Sequence, residues 1–170
     1  MIKIGIIGNG GICKGSHAPV YLDEPRAEVV AVCDIIEERA VYMRENYFPA
    51  AKVYTDYREL LRDPAIDAVD ICTPNDMHSE IAVAALDAGK HVICEKPDAI
   101  DAQKAMAMRS AAERNGKVLM VIRNNRFTAA SRYLKSYIDA GRAGEIYCGR
   151  RVDSPALSGR GSRPSGRTSG

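Results

Sequence analysis

The sequence predicts an α/β fold, a doubly wound parallel sheet with helices on both faces. Three observations predict it. Short apolar runs rich in Val, Ile and Ala recur from Ile2 to Ile122. Helix-length segments with capping residues and glycine stops lie between most of them. Polar residues gather just past the carboxyl ends of the runs, where open parallel sheets bind their ligands. Strands alternating with helices imply right-handed crossovers and a parallel sheet. The expected spatial order is 3-2-1-4-5-6.

The first run, Ile2–Ile7, has the composition of a strand buried on both faces. Gly8, Asn9, Gly10, Gly11, Ile12 and Cys13 follow at once, so a strand passes through a glycine turn into the start of a helix. Gly8 suits a turn with positive φ, and Gly10 lets the backbone approach a pyrophosphate with no Cβ in the way. The helix N-terminus adds unpaired N–H groups and partial positive charge. The third position of the Gly-x-Gly-x-x-Gly pattern is Cys13, which is still small. A hairpin or ligand-free turn uses the same glycines, but placement directly after a strand favours a dinucleotide.

The segment with Ser16, His17 and Pro19 reads as a loop feeding a short helix, and His17 suits either a ligand contact or a helix cap. The second strand, Ala27–Cys33, ends at Asp34. A carboxylate there can accept both hydroxyls of an adenosine ribose and would repel a 2′-phosphate, which favours NAD over NADP. Ile35 and Ile36 follow, with no basic residue before Arg39. Asp34 also reads as a plain N-cap for the helix expected over Glu37–Tyr47.

Lys52–Tyr54 is a short third strand, and Asp56 caps a helix over Tyr57–Arg62 that Pro64 ends. Ala68–Cys72 is the fourth strand, with a turn at Thr73, Pro74, Asn75 and Asp76. The helix Met77–Ala88 carries an apolar stripe and stops at Gly89. His91–Cys94 is the fifth strand and ends in Glu95, Lys96 and Pro97. The helix Asp101–Asn115, stopped by Gly116, leads to a sixth strand, Val118–Ile122. A helix over Ala129–Ala140 and a strand over Glu145–Val152 come next. Of the 18 residues from Asp153 to Gly170, eleven are Gly, Ser or Pro, so that segment is expected to be disordered.

A chain of 170 residues with 46% apolar and 27% charged residues is long enough for one cored domain and the beginning of another. No apolar run reaches membrane-spanning length, and Met1 leads straight into a strand, so a cytoplasmic protein is expected. The five cysteines are scattered with no Cys-x-x-Cys pair, which points to free, mostly buried thiols and to neither disulfides nor a metal site. The net charge of +2 comes from the end of the chain, where residues 150–170 hold five Arg and one Asp. The basic balance therefore gives no sign of nucleic-acid binding.

Thr73-Pro74-Asn75-Asp76-Met77-His78, followed by Ala88-Gly89-Lys90-His91-Val92-Ile93-Cys94-Glu95-Lys96-Pro97, resembles the Gfo/Idh/MocA family of NAD(P)-dependent oxidoreductases. With Gly8–Cys13 and Asn124-Asn125-Arg126-Phe127, the resemblance runs over roughly residues 1–150. It implies a Rossmann-type cofactor domain over 1–123 and the beginning of a second α/β domain over 124–152. It also implies hydride transfer between nicotinamide and a secondary alcohol of a sugar, inositol or similar polyol, with a homo-oligomer as the expected assembly. Asn75 and His78 would lie near the nicotinamide side, and Glu95 near its ribose. Lys96 would be the residue that polarises substrate and relays its proton.

Lys96 also has a case of its own. A partly buried ammonium at the nicotinamide end can hydrogen-bond a substrate hydroxyl and favour the developing alkoxide. Asn124 and Arg126 are candidates to reach substrate, and Arg126 equally suits a surface ion pair. The residues after Val152 resemble nothing in the family and read as a truncated or out-of-frame end, so cofactor binding is expected to outlast turnover. The rival readings are a non-catalytic dinucleotide-binding module or partner subunit, and a methyltransferase with the same sheet. Glu95-Lys96-Pro97 argues against the methyltransferase.

Overall fold

The computed structural model describes residues 1–149. The strands are β1 Ile2–Ile7, β2 Ala27–Cys33, β3 Lys52–Tyr54, β4 Ala68–Ile71, β5 His91–Cys94 and β6 Leu119–Val121. They form one parallel sheet in the order β3-β2-β1-β4-β5-β6, so the expected order is observed. The helices are α1 Ala18–Asp23, α2 Glu37–Asn46, α3 Tyr57–Arg62, α4 His78–Asp87, α5 Ala102–Asn115 and α6 Ala129–Asp139. Contacts divide the chain into one unit over Met1–Asn124 and a second from Asn125 onward.

The central strands are apolar on both faces because both faces are covered. Ile7, Val69, Ile71 and Val92 pack beside Leu60, Ile81, Leu86 and Met108 of α3, α4 and α5. Ile4, Ile6 and Val32 pack beside Ala18 of α1 and Ala40 and Met43 of α2. Gly5 sits where a Cβ would lie 2.9 Å from Leu60, so its hydrogen lets α3 approach β1. The caps are local. Asp56 accepts the N–H of Arg58 (2.8 Å), and Asp101 accepts that of Lys104 (2.7 Å). Gly116, at φ 60°, ends α5 in the left-handed conformation.

Two expectations are corrected. The segment with Ser16, His17 and Pro19, read as a loop feeding a short helix, is helical: residues 13–17 form a π turn continuous with α1, which carries Pro19. The strand expected over 145–152 is not formed at residues 145–149, and 150–152 lie outside the described residues, as does the segment from 153 to 170. A strand needs a partner for its backbone groups, and among the described residues that stretch has none. In the second unit, Thr128 caps α6 through the N–H of Ser131 (3.3 Å), and Leu134, Tyr137 and Ile138 are exposed on that helix.

Lys90, in the turn before β5, is buried, and its ammonium donates to the carbonyls of Asp63 and Ile66, both at 2.8 Å. It ties the end of α3 and the approach to β4 to the entry of β5. Lys90→Met keeps the aliphatic stem and removes the donor. We expect a loss of about 1–3 kcal/mol in urea unfolding, the cost of leaving buried acceptors unpaired. An unchanged midpoint would show that water replaces the ammonium.

Candidate functional site

The glycine turn is shaped by its neighbours. Gly8 has φ 92°, and a Cβ there would lie 2.7 Å from the carbonyl carbon of Cys72 and 2.7 Å from the amide nitrogen of Thr73. Only glycine lets the ends of β1 and β4 come this close. The N–H of Gly8 bonds the carbonyl of Cys33 (2.8 Å), and that of Cys72 bonds the carbonyl of Ile7 (2.8 Å). The following helix opens where Lys14 N–H returns to the carbonyl of Gly10 (3.1 Å), which leaves the amides ahead of it for a ligand. At Gly10 and Gly11 a Cβ would meet nothing within 4 Å, because both face open space.

That space is a cleft of about 700 Å³ within the first unit. Gly8, Gly10, Gly11, Ile12, Asp34, Thr73 and Pro74 line it, so the loops after β1, β2 and β4 converge as expected. Asn9 and Cys13 are fully buried behind the turn. Asp34 is buried and accepts the N–H of Asn9 on one oxygen (2.7 Å) and that of Ile36 on the other (3.0 Å). It is not the N-cap of α2, whose cap position is Ile36 with no side-chain bond. The carboxylate therefore fixes the glycine turn and still edges the cleft. Asp56, Arg39 and Arg58 line the same cleft, so two acids stand there with two guanidinium groups, and Arg58 is paired with Asp56 and Glu80.

The loop after β5 is placed differently. Glu95 and Lys96 do not line the cleft, nor do Asn75 and His78. His78 is fully buried, with Nδ1 2.6 Å from the carbonyl of Pro97 and Nε2 2.9 Å from that of Thr73, so it ties the β4 and β5 turns together. Lys96, expected to be partly buried, is exposed, because the described chain puts nothing over the end of β5. Its N–H donates to Oε2 of Glu95 (2.9 Å). Asn75, Asn124 and Arg126 are exposed, and Arg126 belongs to the second unit.

Beneath the cleft lies a group that the sequence reading did not assemble. His17 neither caps a helix nor faces the cleft. It is buried, with Nδ1 2.7 Å from Asp70 and Nε2 3.0 Å from Glu95. The hydroxyl of Tyr21 donates to the same oxygen of Asp70 (2.9 Å). Burial by itself would push the imidazole pKa down, but the bonds and charges of Asp70 and Glu95 outweigh it and raise it from 6.5 to about 9. The ring is thus a cation at neutral pH, shared by two buried carboxylates. Asp70 was the available signal: a carboxylate inside the apolar run Ala68–Cys72 must find a partner.

Two orphaned atoms frame the turn. Asn9 Oδ1 and Thr73 Oγ1 are buried with no hydrogen-bond partner among the described residues. Open space over Gly10 and Gly11, an acid at the end of β2 and unpaired polar atoms beside the turn fit a dinucleotide. The comparisons agree with that geometry. A family model described as an oxidoreductase family with an NAD-binding Rossmann fold matches residues 2–123.

The chain belongs to the Gfo/Idh/MocA oxidoreductase family.

Its first unit is an NAD(P)-binding Rossmann domain of that family. It is similar to an inositol 2-dehydrogenase from Salmonella typhimurium (strain LT2), with 37% identity over 145 residues, 85% of this chain and 43% of the relative. The chain thus spans less than half the length of the curated relatives it matches. Among solved structures it is similar to the WlbA dehydrogenase from Bordetella pertussis in complex with NADH and UDP-GlcNAcA. The TM-score is 0.80 and the identity 31%, covering 86% of this chain and 44% of that one. It is also similar to KijD10, a 3-ketoreductase from Actinomadura kijaniata in complex with NADP and TDP-benzene. The TM-score is 0.76 and the identity 30%, covering 82% and 42%. No helix among the described residues is long and apolar enough to cross a membrane.

Proposed function

We propose that this chain forms the cofactor-binding half of a Gfo/Idh/MocA dehydrogenase that prefers NAD to NADP and acts on a secondary alcohol of a sugar, inositol or similar polyol. The observation that carries the reading is the cleft over Gly10 and Gly11, with Asp34 at its edge. Amides of the Gly10–Cys13 turn bind the diphosphate, with the Thr73 hydroxyl as a further donor, while Asn9, buried behind the turn, holds its shape. Asp34 holds the adenosine ribose. Pro74, Asn75, His78 and Glu95 shape the nicotinamide end. When bound, the nicotinamide supplies the hydride acceptor for alcohol oxidation. Lys96 Nζ, exposed at the end of β5, donates a hydrogen bond to the substrate oxygen and holds its proton, while Asn124 is a further polar contact for the polyol. The substrate class rests on the relatives, one an inositol 2-dehydrogenase and another a D-glucoside 3-dehydrogenase.

Isothermal titration with NAD⁺ and NADP⁺ tests the cofactor assignment. One-to-one binding with NAD⁺ tighter is the expected result, and binding of neither would overturn it. Asp34→Ala should weaken NAD⁺ by about tenfold, the value of a charge-assisted hydrogen bond. Arg39→Ala should weaken NADP⁺ more than NAD⁺, since a guanidinium pairs with a 2′-phosphate. Hydride transfer from inositols and aldoses is expected to be slow or undetectable in this chain alone, and brisk turnover would contradict that. Binding without turnover, together with activity restored by a second chain, would favour the partner-subunit reading.

A further inference from the structure

We propose that His17, Asp70 and Cys72 form a binding site for one divalent transition-metal ion of the zinc class, beneath the floor of the cleft. Nδ1 of His17, a carboxylate oxygen of Asp70 and Sγ of Cys72 all lie within 4.8 Å of one another, and all three residues are buried. Nδ1 is 2.7 Å from Oδ2 of Asp70 and 3.4 Å from Sγ of Cys72, and that sulfur is 3.8 Å from Oδ1 of Asp70. A tetrahedral zinc ion at its usual bond lengths separates nitrogen, oxygen and sulfur donors by about 3.3–3.7 Å. The nitrogen–sulfur edge is therefore already close to the needed length, and so is the sulfur–oxygen edge taken to Oδ1, while the 2.7 Å contact is made by the other carboxylate oxygen, Oδ2.

The surroundings match those of a metal-bound histidine. Such a ring donates its second N–H to a carboxylate, which fixes its orientation. Here Nε2 faces Oε1 of Glu95 at 3.0 Å, and the hydroxyl of Tyr21 holds Asp70. The charge balance points the same way. Asp70 and Glu95 share a single ring that carries at most one positive charge, and no Lys or Arg side chain among the described residues bonds to either carboxylate. An entering ion displaces one proton from Nδ1 of His17 and one from Sγ of Cys72, and the net buried charge does not change. The π turn that carries Cys13 and His17 buries both, and π turns recur at functional sites. Cys72 also lines the cleft, which gives the ion a route in. No ligand spacing shows in the sequence because His17 and Asp70 are 53 positions apart.

The test is a Co²⁺ titration of the full chain, chelator-treated and fully reduced. One equivalent should give intense tetrahedral d–d bands and a sulfur-to-cobalt charge-transfer band, both lost when one equivalent of Zn²⁺ is added. Cys72→Ser should remove the charge-transfer band. His17→Gln should weaken Co²⁺ at least tenfold, and Cys148→Ser, at an exposed thiol, should change nothing. Absence of a stoichiometric band in the wild-type chain would overturn the site, as would a charge-transfer band that survives in Cys72→Ser. Should Cys72→Ser fail to fold, X-ray absorption of the zinc-loaded wild type decides the matter. One or two sulfur ligands among four support the site, and none refutes it. These readouts do not involve the dinucleotide, so they stand or fall separately from the proposed function.

Discussion

His17→Leu, in chelator-treated protein at pH 7, is expected to lower the unfolding free energy by about 3–5 kcal/mol, the range for stripping one partner from a buried ion pair. Leucine fills much of the ring's volume, so the loss is electrostatic more than steric. Asp70 is fully buried and Glu95 nearly so, and among the described residues the two carboxylates then keep the Tyr21 hydroxyl, the Lys96 N–H and a long contact from the Cys72 thiol as partners. A variant as stable as the wild type at pH 7 would show that the His17 ion pairs do not stabilise the fold.

The wild-type chain should show the complementary pH dependence. The folded pKa of His17, about 9, lies above the unfolded value of 6.5. Below pH 6.5 both states hold the proton and the stabilisation is complete. Between pH 6.5 and 9 only the folded state keeps it, so stability falls as pH rises. The total change is about 3 kcal/mol for a shift of this size. Urea midpoints at pH 6, 7.5 and 9 measure it, with His17→Gln as the reference that should lack the slope. A wild-type profile parallel to the variant's would contradict the assignment.

Gly8→Ala is expected to cost about 2–5 kcal/mol, from a strained positive φ together with overpacking. The added Cβ would meet backbone atoms of Cys72 and Thr73 at 2.7 Å, and backbone cannot rotate away as a side chain can. Either β1 and β4 separate or the turn changes course, and NAD⁺ affinity should fall with either. Gly10→Ala makes the contrast. Its Cβ meets no atom within 4 Å, so stability should stay within about 0.5 kcal/mol, the usual range for exposed sites. Yet that Cβ projects into the space assigned to the diphosphate, and NAD⁺ binding should weaken at least tenfold. Equal NAD⁺ affinity in Gly10→Ala and wild type would remove the diphosphate from this turn. Thermal melts and isothermal titration on the two variants make both comparisons.

Much of the fold was legible because its signals are local. The strand starts at Ile2, Ala27, Lys52 and His91 and the caps at Asp56 and Asp101 follow from residues a few positions apart. Crossover handedness then leaves few topologies for six parallel strands. The part of the site made by turns at strand ends was legible for the same reason: Gly8, Gly10, Asp34 and Thr73 are where sheet geometry requires them. What escaped the reading depends on partners distant in sequence. The segment with Ser16, His17 and Pro19 read as a loop, and the partner that holds His17 on the π turn, Asp70, lies 53 positions away. Lys90 was assigned no structural role, and its two carbonyl partners lie 24 and 27 positions away. Arg39 and Arg58 face one cleft because α2 and α3 flank it, which weakens a cofactor preference argued from Asp34 alone.

The sequence by itself determined the six-stranded order, the glycine turn and the family, since each is written in short-range pattern and spacing. The tertiary structure decided how charge is buried. It joined His17 on the π turn, Asp70 on β4 and Glu95 after β5 into one network, and it left Lys96 exposed beside it. The physical reason is that a buried charge must be paired, and its partner is chosen by which elements the fold brings together and not by distance along the chain.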